Sequence, residues 1–445
     1  MSQAAASRHP LFAPGFQAKP WWWEAAEPPD RDTPLPDRAE VAIVGGGYAG
    51  LSAALTLARL GHRPVVLDAE RIGWGASSRN GGMVSGGLKV ASGALEKTHG
   101  REGARAIAGA AAASFPFIED LIARESIDCD YVRCGRFVPA WTPRHYDALA
   151  AKVEFIAEVT GLPARMLPRG QQREALGSDH YRGGMIAEAG GSLHPGKYAR
   201  GLAAAAERAG AVLVDGVRVK GIAAEGAGHR IETGQGALRA DAVLVATNGY
   251  SLGPDGGSAM PWLARRMIPV GSYIIATEEL PEATIERLFP GRRTISDTKR
   301  VLNYFRPSPD GRRVLWGGRA SFGPTAPETA APVLHRFMTE VFPELKDLRI
   351  THAWTGNVAF TFDFLPHVGV QDGIHYAAGC QGSGVAMASW LGHRAALRIA
   401  GADNEGFALA DLPFPTLPTY DGRPWFLPAV GSWYRLRDRI DRIAA

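Results

Sequence analysis

The stretch Glu40-Val41-Ala42-Ile43-Val44-Gly45-Gly46-Gly47-Tyr48-Ala49-Gly50 decides the architecture. Val41–Val44 is a short apolar run of the kind found in fully buried parallel strands. The glycines follow at G-x-G-x-x-G spacing, and Leu51 to Leu60 then carries apolar residues on a helical period. His62-Arg63-Pro64 turns the chain into a second apolar strand, Val65-Val66-Leu67. Strand, helix and strand within about thirty residues form a βαβ unit. Its chemistry follows from the glycines. Gly45 permits the tight turn, Gly47 lets a pyrophosphate approach the backbone beside Ala49, and Gly50 lets helix and strand pack closely. The anion then sits on free N–H groups at the positive end of the helix. Asp68 lies 18 residues beyond Gly50, at the end of the second strand, where an acid accepts hydrogen bonds from ribose hydroxyls. These features predict a dinucleotide site.

Working outward, the 445 residues are about three typical domain lengths. Apolar residues make up 46% and charged residues 21%, enough to bury a core and too apolar for disorder. The 54 glycines follow no G-X-Y period, and no run approaches 18 uninterrupted apolar residues. Met1 to Pro10 lacks a charged segment followed by an apolar core, so no secretory signal is expected and the default address is cytoplasmic. Net charge is +4, with 41 arginines and eight lysines scattered rather than massed. A phosphate-tracking surface needs clustering, so nucleic acid is not expected as a partner. Cys129, Cys134 and Cys380 form no C-x-x-C, which argues against a disulfide framework and a zinc cluster. No nucleophile triad or metal-ligand spacing is visible, and no metal is expected.

A second glycine-rich, hydroxyl-bearing loop, Ala76-Ser77-Ser78-Arg79-Asn80-Gly81-Gly82-Met83, follows Asp68. A nicotinamide site has no need of it, whereas the longer arm of a flavin must be threaded past small residues and backbone donors. Near the other end, Gly379-Cys380-Gln381-Gly382-Ser383-Gly384-Val385 follows a strand and starts a helix. It can aim a further helix N-terminus at the electron-rich edge of a flavin.

The chain resembles the D-amino-acid-oxidase-like superfamily of FAD-dependent amine oxidoreductases, which includes glycine oxidase and sarcosine oxidase, and within it the gamma-glutamylputrescine oxidase branch. The segments that carry the likeness are Trp21–Glu24, Val44–Gly50, Ile72–Gly82, Ala246–Tyr250, Trp354–Asn357, Phe362–Pro366 and Arg423–Pro428. The resemblance implies an α/β fold with a Rossmann-like FAD-binding lobe and an α+β, mixed-sheet substrate lobe. The expected division is an N-terminal arm (1–36), irregular because of its prolines, and a discontinuous FAD-binding domain (37–98, 193–262 and 345–402). The substrate domain (99–192 and 263–344) and a C-terminal tail (403–445) complete it.

The resemblance also implies site roles. Gly45, Gly47 and Gly50 would hold the pyrophosphate and Asp68 the adenosine ribose, with Val219, Ala246 and Thr247 around adenine. Ala76 to Met83 would follow the ribityl chain, and Gly379 with Gly382–Val385 would cap the flavin. The sarcosine oxidase branch attaches its flavin to a cysteine near the position of Thr355-Gly356-Asn357, which has no thiol here, so non-covalent FAD is expected. Tyr273, Tyr304, Arg306, His352 and Trp354 are the candidate substrate-side residues: aromatics cage an amine, Arg306 can hold a carboxylate, and His352 can act as a base.

The implied reaction is hydride transfer from an amine or amino acid to flavin N5. Hydrolysis of the imine follows, with oxygen (giving hydrogen peroxide) or another acceptor reoxidising the flavin. A hydroxy-acid dehydrogenase on the same scaffold is the first alternative. The second is a non-catalytic FAD-binding, membrane-associated subunit, suggested by the aromatic and basic segments Trp425–Leu427 and Trp433–Arg435. Packing of that tail on the body is the expectation, and membrane association is not. Acid or heat denaturation of the yellow protein should release intact FAD into the supernatant; flavin retained by the precipitated chain would show a covalent link.

Overall fold

The computed structural model describes residues 10–88, 92–404 and 406–443. Residues 1–9, read above for a secretory signal, therefore lie outside the described residues. The opening strand Arg38–Val44 runs parallel to Pro64–Leu67, with Val41 opposite Pro64 and Val44 opposite Leu67. The Tyr48–Arg59 helix makes the crossover between them. Strand Ala237–Val245 flanks Arg38–Val44 on its other side, also parallel, and Val212–Val214 extends the sheet beyond Pro64–Leu67. Val219–Glu225 and Gly228–Thr233 add an antiparallel pair at one edge, and Ile374–Ala378 joins Ala237–Val245 in parallel. The carboxyl ends of these strands are tied together: Gly45 N–H donates to Leu67 O (2.8 Å), Ala246 N–H to Val44 O (2.8 Å) and Asp68 N–H to Val214 O (3.0 Å). A doubly wound sheet leaves its ligand crevice at this edge.

A second, nine-stranded mixed sheet stands over that edge. In order it contains Phe12–Gln17, Ile350–Phe360, Ile268–Thr277, Val314–Gly318, Asn303–Pro307, Thr294–Ser296, Arg136–Pro139, Gly184–Ala187 and Ala164–Leu167. Its far face is a core of its own. Phe305 stacks on Trp316 at 4.0 Å, and the Pro327–Val341 helix buries Leu334, Met338 and Val341 against it. Two features depart from the sequence reading. The arm is not irregular throughout, because Phe12–Gln17 pairs in parallel with Ile350 and His352 and Trp23–Ala26 is a helical turn. The 345–402 segment serves both sheets, with Ile350–Phe360 in the nine-stranded one and Ile374–Ala378 in the other. The eleven-residue strand Ile350–Phe360 lies wholly in the nine-stranded sheet and the chain after it passes to the other, which alternation alone does not reveal.

Among the described residues one helical stretch, Gly93–Arg124, is long and apolar enough in composition to cross a bilayer. It bends at Gly100, and Ile107, Ala111, Phe115, Ile118 and Leu121 are buried in the same core as the Tyr48–Arg59 helix. Its apolar residues are spent on packing. The Gly384–Ile399 helix lies against Tyr48–Arg59, and the approach is so close that a Cβ at Gly392 would overlap Ala49 O. In an open helix Gly→Ala stabilises by about 1 kcal/mol. Here the neighbour is backbone and cannot yield, so the sign reverses. Gly392→Ala should lower stability by about 1–3 kcal/mol in a denaturant or thermal melt; a raised Tm would show that the helices can part freely.

Candidate active site

Two connected cavities occupy the crevice between the sheets. The larger, 690 Å³, is lined by Val44, Gly45, Gly47, Tyr48, Ala49, Asp68, Val219, Ala246 and Thr247, among others. The smaller, 210 Å³, is lined by Arg79, Asn80, Gly81, Met83, Tyr304, Arg319 and Gly382–Val385, among others. Tyr48, Ala76, Ser77, Asn248, Asn357 and Ala388 line both, so the two adjoin, and together they are called the channel.

The glycine turn at the larger cavity is shaped by contact. Gly45 has φ +108° and a Cβ there would sit 2.9 Å from Ala246 O, while a Cβ at Gly50 would overlap Gly45 O. At Gly47 a Cβ would lie 3.0 Å from Ser77 Oγ, filling the space above the helix N-terminus. Ser77 Oγ already accepts the Tyr48 N–H at 3.0 Å. Asp68 accepts from Gly46 N–H (2.7 Å) and Glu70 N–H (2.9 Å). Burial nonetheless pushes its pKa up to about 6, against those two stabilising bonds.

The 76–83 loop is held from outside the channel. Trp22 Nε1–H donates to Asn80 O (2.9 Å), Trp23 Nε1–H to Ser78 Oγ (3.0 Å) and Trp354 Nε1–H to Arg79 O (2.8 Å). The Arg79 guanidinium lies 4.7 Å from the Trp23 ring and 4.1 Å from the Trp74 ring. Arg306 Nη1 donates to Gly82 O (2.8 Å) and Leu193 O (2.9 Å), and its Nε donates to Pro307 O (3.0 Å). Gly82 has φ +65°, a conformation and a crowding that exclude a side chain. At the far end Gly379 and Gly382, both at φ +82°, turn the chain into the Gly384–Ile399 helix. Asn248 joins the two sides, accepting from Gly379 N–H (3.0 Å) and donating to Cys380 Sγ (3.3 Å).

The five substrate-side candidates separate. Tyr304 lines the smaller cavity, its ring beside Gly81 and Gly317 and its hydroxyl 2.9 Å from Ser272 Oγ. Burial pushes its pKa up to about 12, so it is a neutral phenol. The other four are absent from that lining. Tyr273 is turned into the core on the far face of the nine-stranded sheet. Trp354 and Arg306 support the loop, as above, and Arg306 is committed to three carbonyls rather than free to take a carboxylate. His352 is buried beside Thr351 and Glu24, and desolvation lowers its pKa to about 4.

The structure adds residues that the sequence reading did not single out. Arg136 and Arg319 line the smaller cavity. Burial lowers the pKa of each, no acid is among the groups acting on either, and Arg136 Nε has no hydrogen-bond partner. The guanidinium of Arg319 lies 4.9 Å from the Phe360 ring. Ser272, Asn357 and Phe360 complete the same wall. A visible signal existed: Arg136 opens an apolar strand with no acidic neighbour.

The family model for FAD-dependent oxidoreductases, DAO, matches residues 40–398. The chain belongs to this family. The probable oxidoreductase OrdL of Rhizobium meliloti is 34% identical over 440 residues, covering 96% of this chain and 99% of its own. The gamma-glutamylputrescine oxidoreductase of Escherichia coli is 33% identical over 410 residues, covering 90% of this chain and 93% of its own. Glycine oxidase from Geobacillus kaustophilus shares the fold, with a TM-score of 0.67 at 22% identity, covering 85% of this chain and all of that one. FAD is thus the cofactor, and the channel tests well against it: a glycine turn that a Cβ would block, an acid with capacity to accept, and two adjoining cavities. Since ionised Asp68 is the better acceptor for ribose hydroxyls, lowering the pH through about 6 should weaken FAD binding. Asp68→Ala should cost about 1.5–3 kcal/mol, roughly ten- to hundredfold in affinity. Titration of apoprotein with FAD across pH 5–8 checks both, and unchanged affinity in the variant would remove Asp68 from the role.

Proposed function

We propose that this protein oxidises the C–N bond of an amine that carries a carboxylate, with FAD bound non-covalently along the channel. In this reading Gly45, Gly47, Ala49 and Gly50 hold the pyrophosphate, and Asp68 the ribose. Val219, Ala246 and Thr247 enclose adenine. Ala76, Ser77, Arg79, Asn80, Gly81, Gly82 and Met83 follow the ribityl arm, and Gly379 with Gly382, Ser383, Gly384 and Val385 caps the flavin. When bound there, FAD supplies the acceptor for a hydride from the carbon beside nitrogen. The protein's share is to bind, orient and keep water out.

One observation carries the substrate reading. The described lining of the smaller cavity contains Arg136 and Arg319 and no Asp, Glu or His. A diamine dication finds no counter-charge there. A carboxylate does, through charge-assisted bonds to guanidinium groups that lack acid partners among the described residues. The same positive field disfavours an ammonium in the cavity, so the amine binds in its neutral form. This matters because only the neutral amine has a lone pair to stabilise the carbon as hydride leaves. No base is required for that proton. A hydroxy acid, by contrast, needs a base for its hydroxyl, and His352 lies away from this lining. The names of two relatives, gamma-glutamylputrescine oxidoreductase and glycine oxidase, are in keeping with amine substrates.

The test is anaerobic flavin reduction with matched series of amines, amino acids and hydroxy acids. Amino acids should reduce the flavin fastest, with a rate that rises with pH and a primary isotope effect at the α-carbon. Arg319→Gln and Arg136→Gln should each weaken carboxylate substrates by about ten- to hundredfold while leaving amines without a carboxylate nearly unaffected. Reduction by hydroxy acids alone would overturn the amine reading; equal losses for both amine classes would overturn the arginines' role.

A further inference from the structure

We propose that the Leu427–Ile443 helix docks this protein on an anionic lipid surface. The helix has two unlike faces. Its inner face is fully engaged. Gly431 lies against the Phe322 ring, which Tyr434 meets edge-on at 6.4 Å. Asp438 accepts from Arg300 N–H (3.1 Å), Val301 N–H (3.0 Å) and Arg300 Nη1 (3.2 Å), and Asp441 pairs with Arg300 at 2.5 Å. The Arg442 guanidinium lies 4.2 Å from the Trp141 ring. These contacts fix which side faces outward.

The outer face is apolar. Trp433 is 55% exposed, Leu436 49%, Ile440 44% and Ile443 87%. Their spacing of three, four and three residues places them in one stripe along the helix. Trp425, just before the helix, is 68% exposed. The other large exposed apolar side chains of the described residues, such as Leu60, Val132 and Phe364, stand on separate elements. The tail therefore gathers what the rest of the surface scatters, and contiguous exposed apolar area marks an interaction site.

Charge selects the partner. Arg435 and Arg439 are exposed along one edge of the stripe, and Arg437 stands 5.7 Å from the Trp433 ring on the other. Both acids of this segment, Asp438 and Asp441, are turned inward onto Arg300, so the outer face carries cations only. A second copy would bring arginine against arginine across a two-fold axis. A plane of anionic headgroups pairs with the same arginines while the tryptophan and aliphatic side chains enter the boundary with the acyl chains. The expectation that the tail packs on the body holds for its inner face only; the outer stripe is left for a helix that lies in the interface. The inner face shares a hydrophobic cluster with Phe360 and Val358, which line the smaller cavity, so docking would set the substrate end of the channel near the lipid.

The test is flotation of the FAD-loaded, full-length protein with vesicles of phosphatidylcholine alone and of phosphatidylcholine with phosphatidylglycerol. Binding should require the anionic lipid and weaken with salt. Leu436→Glu and Ile440→Glu, and separately Arg435→Glu with Arg439→Glu, should each reduce it by about tenfold or more. Flavin content and anaerobic reduction should be unchanged, which separates a folding defect from lost docking. No flotation of the wild type with anionic vesicles would overturn the proposal. So would a solution dimer that Leu436→Glu converts to monomer, because the stripe would then be covered by a second copy.

Discussion

The close backbone contact at the start of the Tyr48–Arg59 helix is the constraint on which the rest depends. Gly50 sits against Gly45 O, and Gly392 against Ala49 O, so two helices and a strand end converge with no side chain between them. Because that corner is so tight, the helix N-terminus points into the crevice rather than being filled by a residue. Ala246 O closes over Gly45 from the neighbouring strand, and Leu67 O receives the Gly45 N–H. The glycine turn is thus shared between both sides of the sheet's switch point.

From this corner the channel leads to a loop with little regular structure of its own, residues 76–83. Asn80 braces it locally, bonding Ala76 O, Ser77 O and the Gly82 N–H. Three indole N–H groups, from Trp22, Trp23 and Trp354, and the guanidinium of Arg306 hold it from behind. Each of these donors is buried, where a hydrogen bond is strongest and a lost partner most costly. This gives the N-terminal arm a physical purpose. Its tryptophans clamp the 76–83 loop from outside, and the strand Phe12–Gln17 anchors them to the nine-stranded sheet.

Electrostatics divides the channel lengthwise. One end carries a half-buried acid, Asp68, whose pKa desolvation raises despite two backbone N–H donors. The other end carries Arg136 and Arg319, half-buried and, among the described residues, without an acid partner. Buried charges are normally paired. In the proposed reading each end is a half-site: ribose donors would answer the acid, and a substrate carboxylate would answer the guanidinium groups.

Much of this was legible along the chain. The apolar run, the glycine spacing and Asp68 each depend on neighbours within thirty residues, so local sequence determined the opening βαβ unit and its dinucleotide character. The 76–83 and 379–385 loops announced a longer ligand by their small residues. What only the tertiary structure decided is which way strand residues face and who stands behind them. Tyr304 and Tyr273 are both strand tyrosines, yet one lines the cavity and the other fills the far core. Arg306 looked free and is engaged by two carbonyls more than a hundred residues away in the chain, whereas Arg136, unremarked in its strand, has a buried Nε with no hydrogen-bond partner. The tail, punctuated by prolines up to Pro428, becomes a seventeen-residue helix whose acids find Arg300 and whose apolar side does not find the body. Sequence order fixes the spacing of side chains along an element; the face each presents is fixed by partners brought from afar by folding.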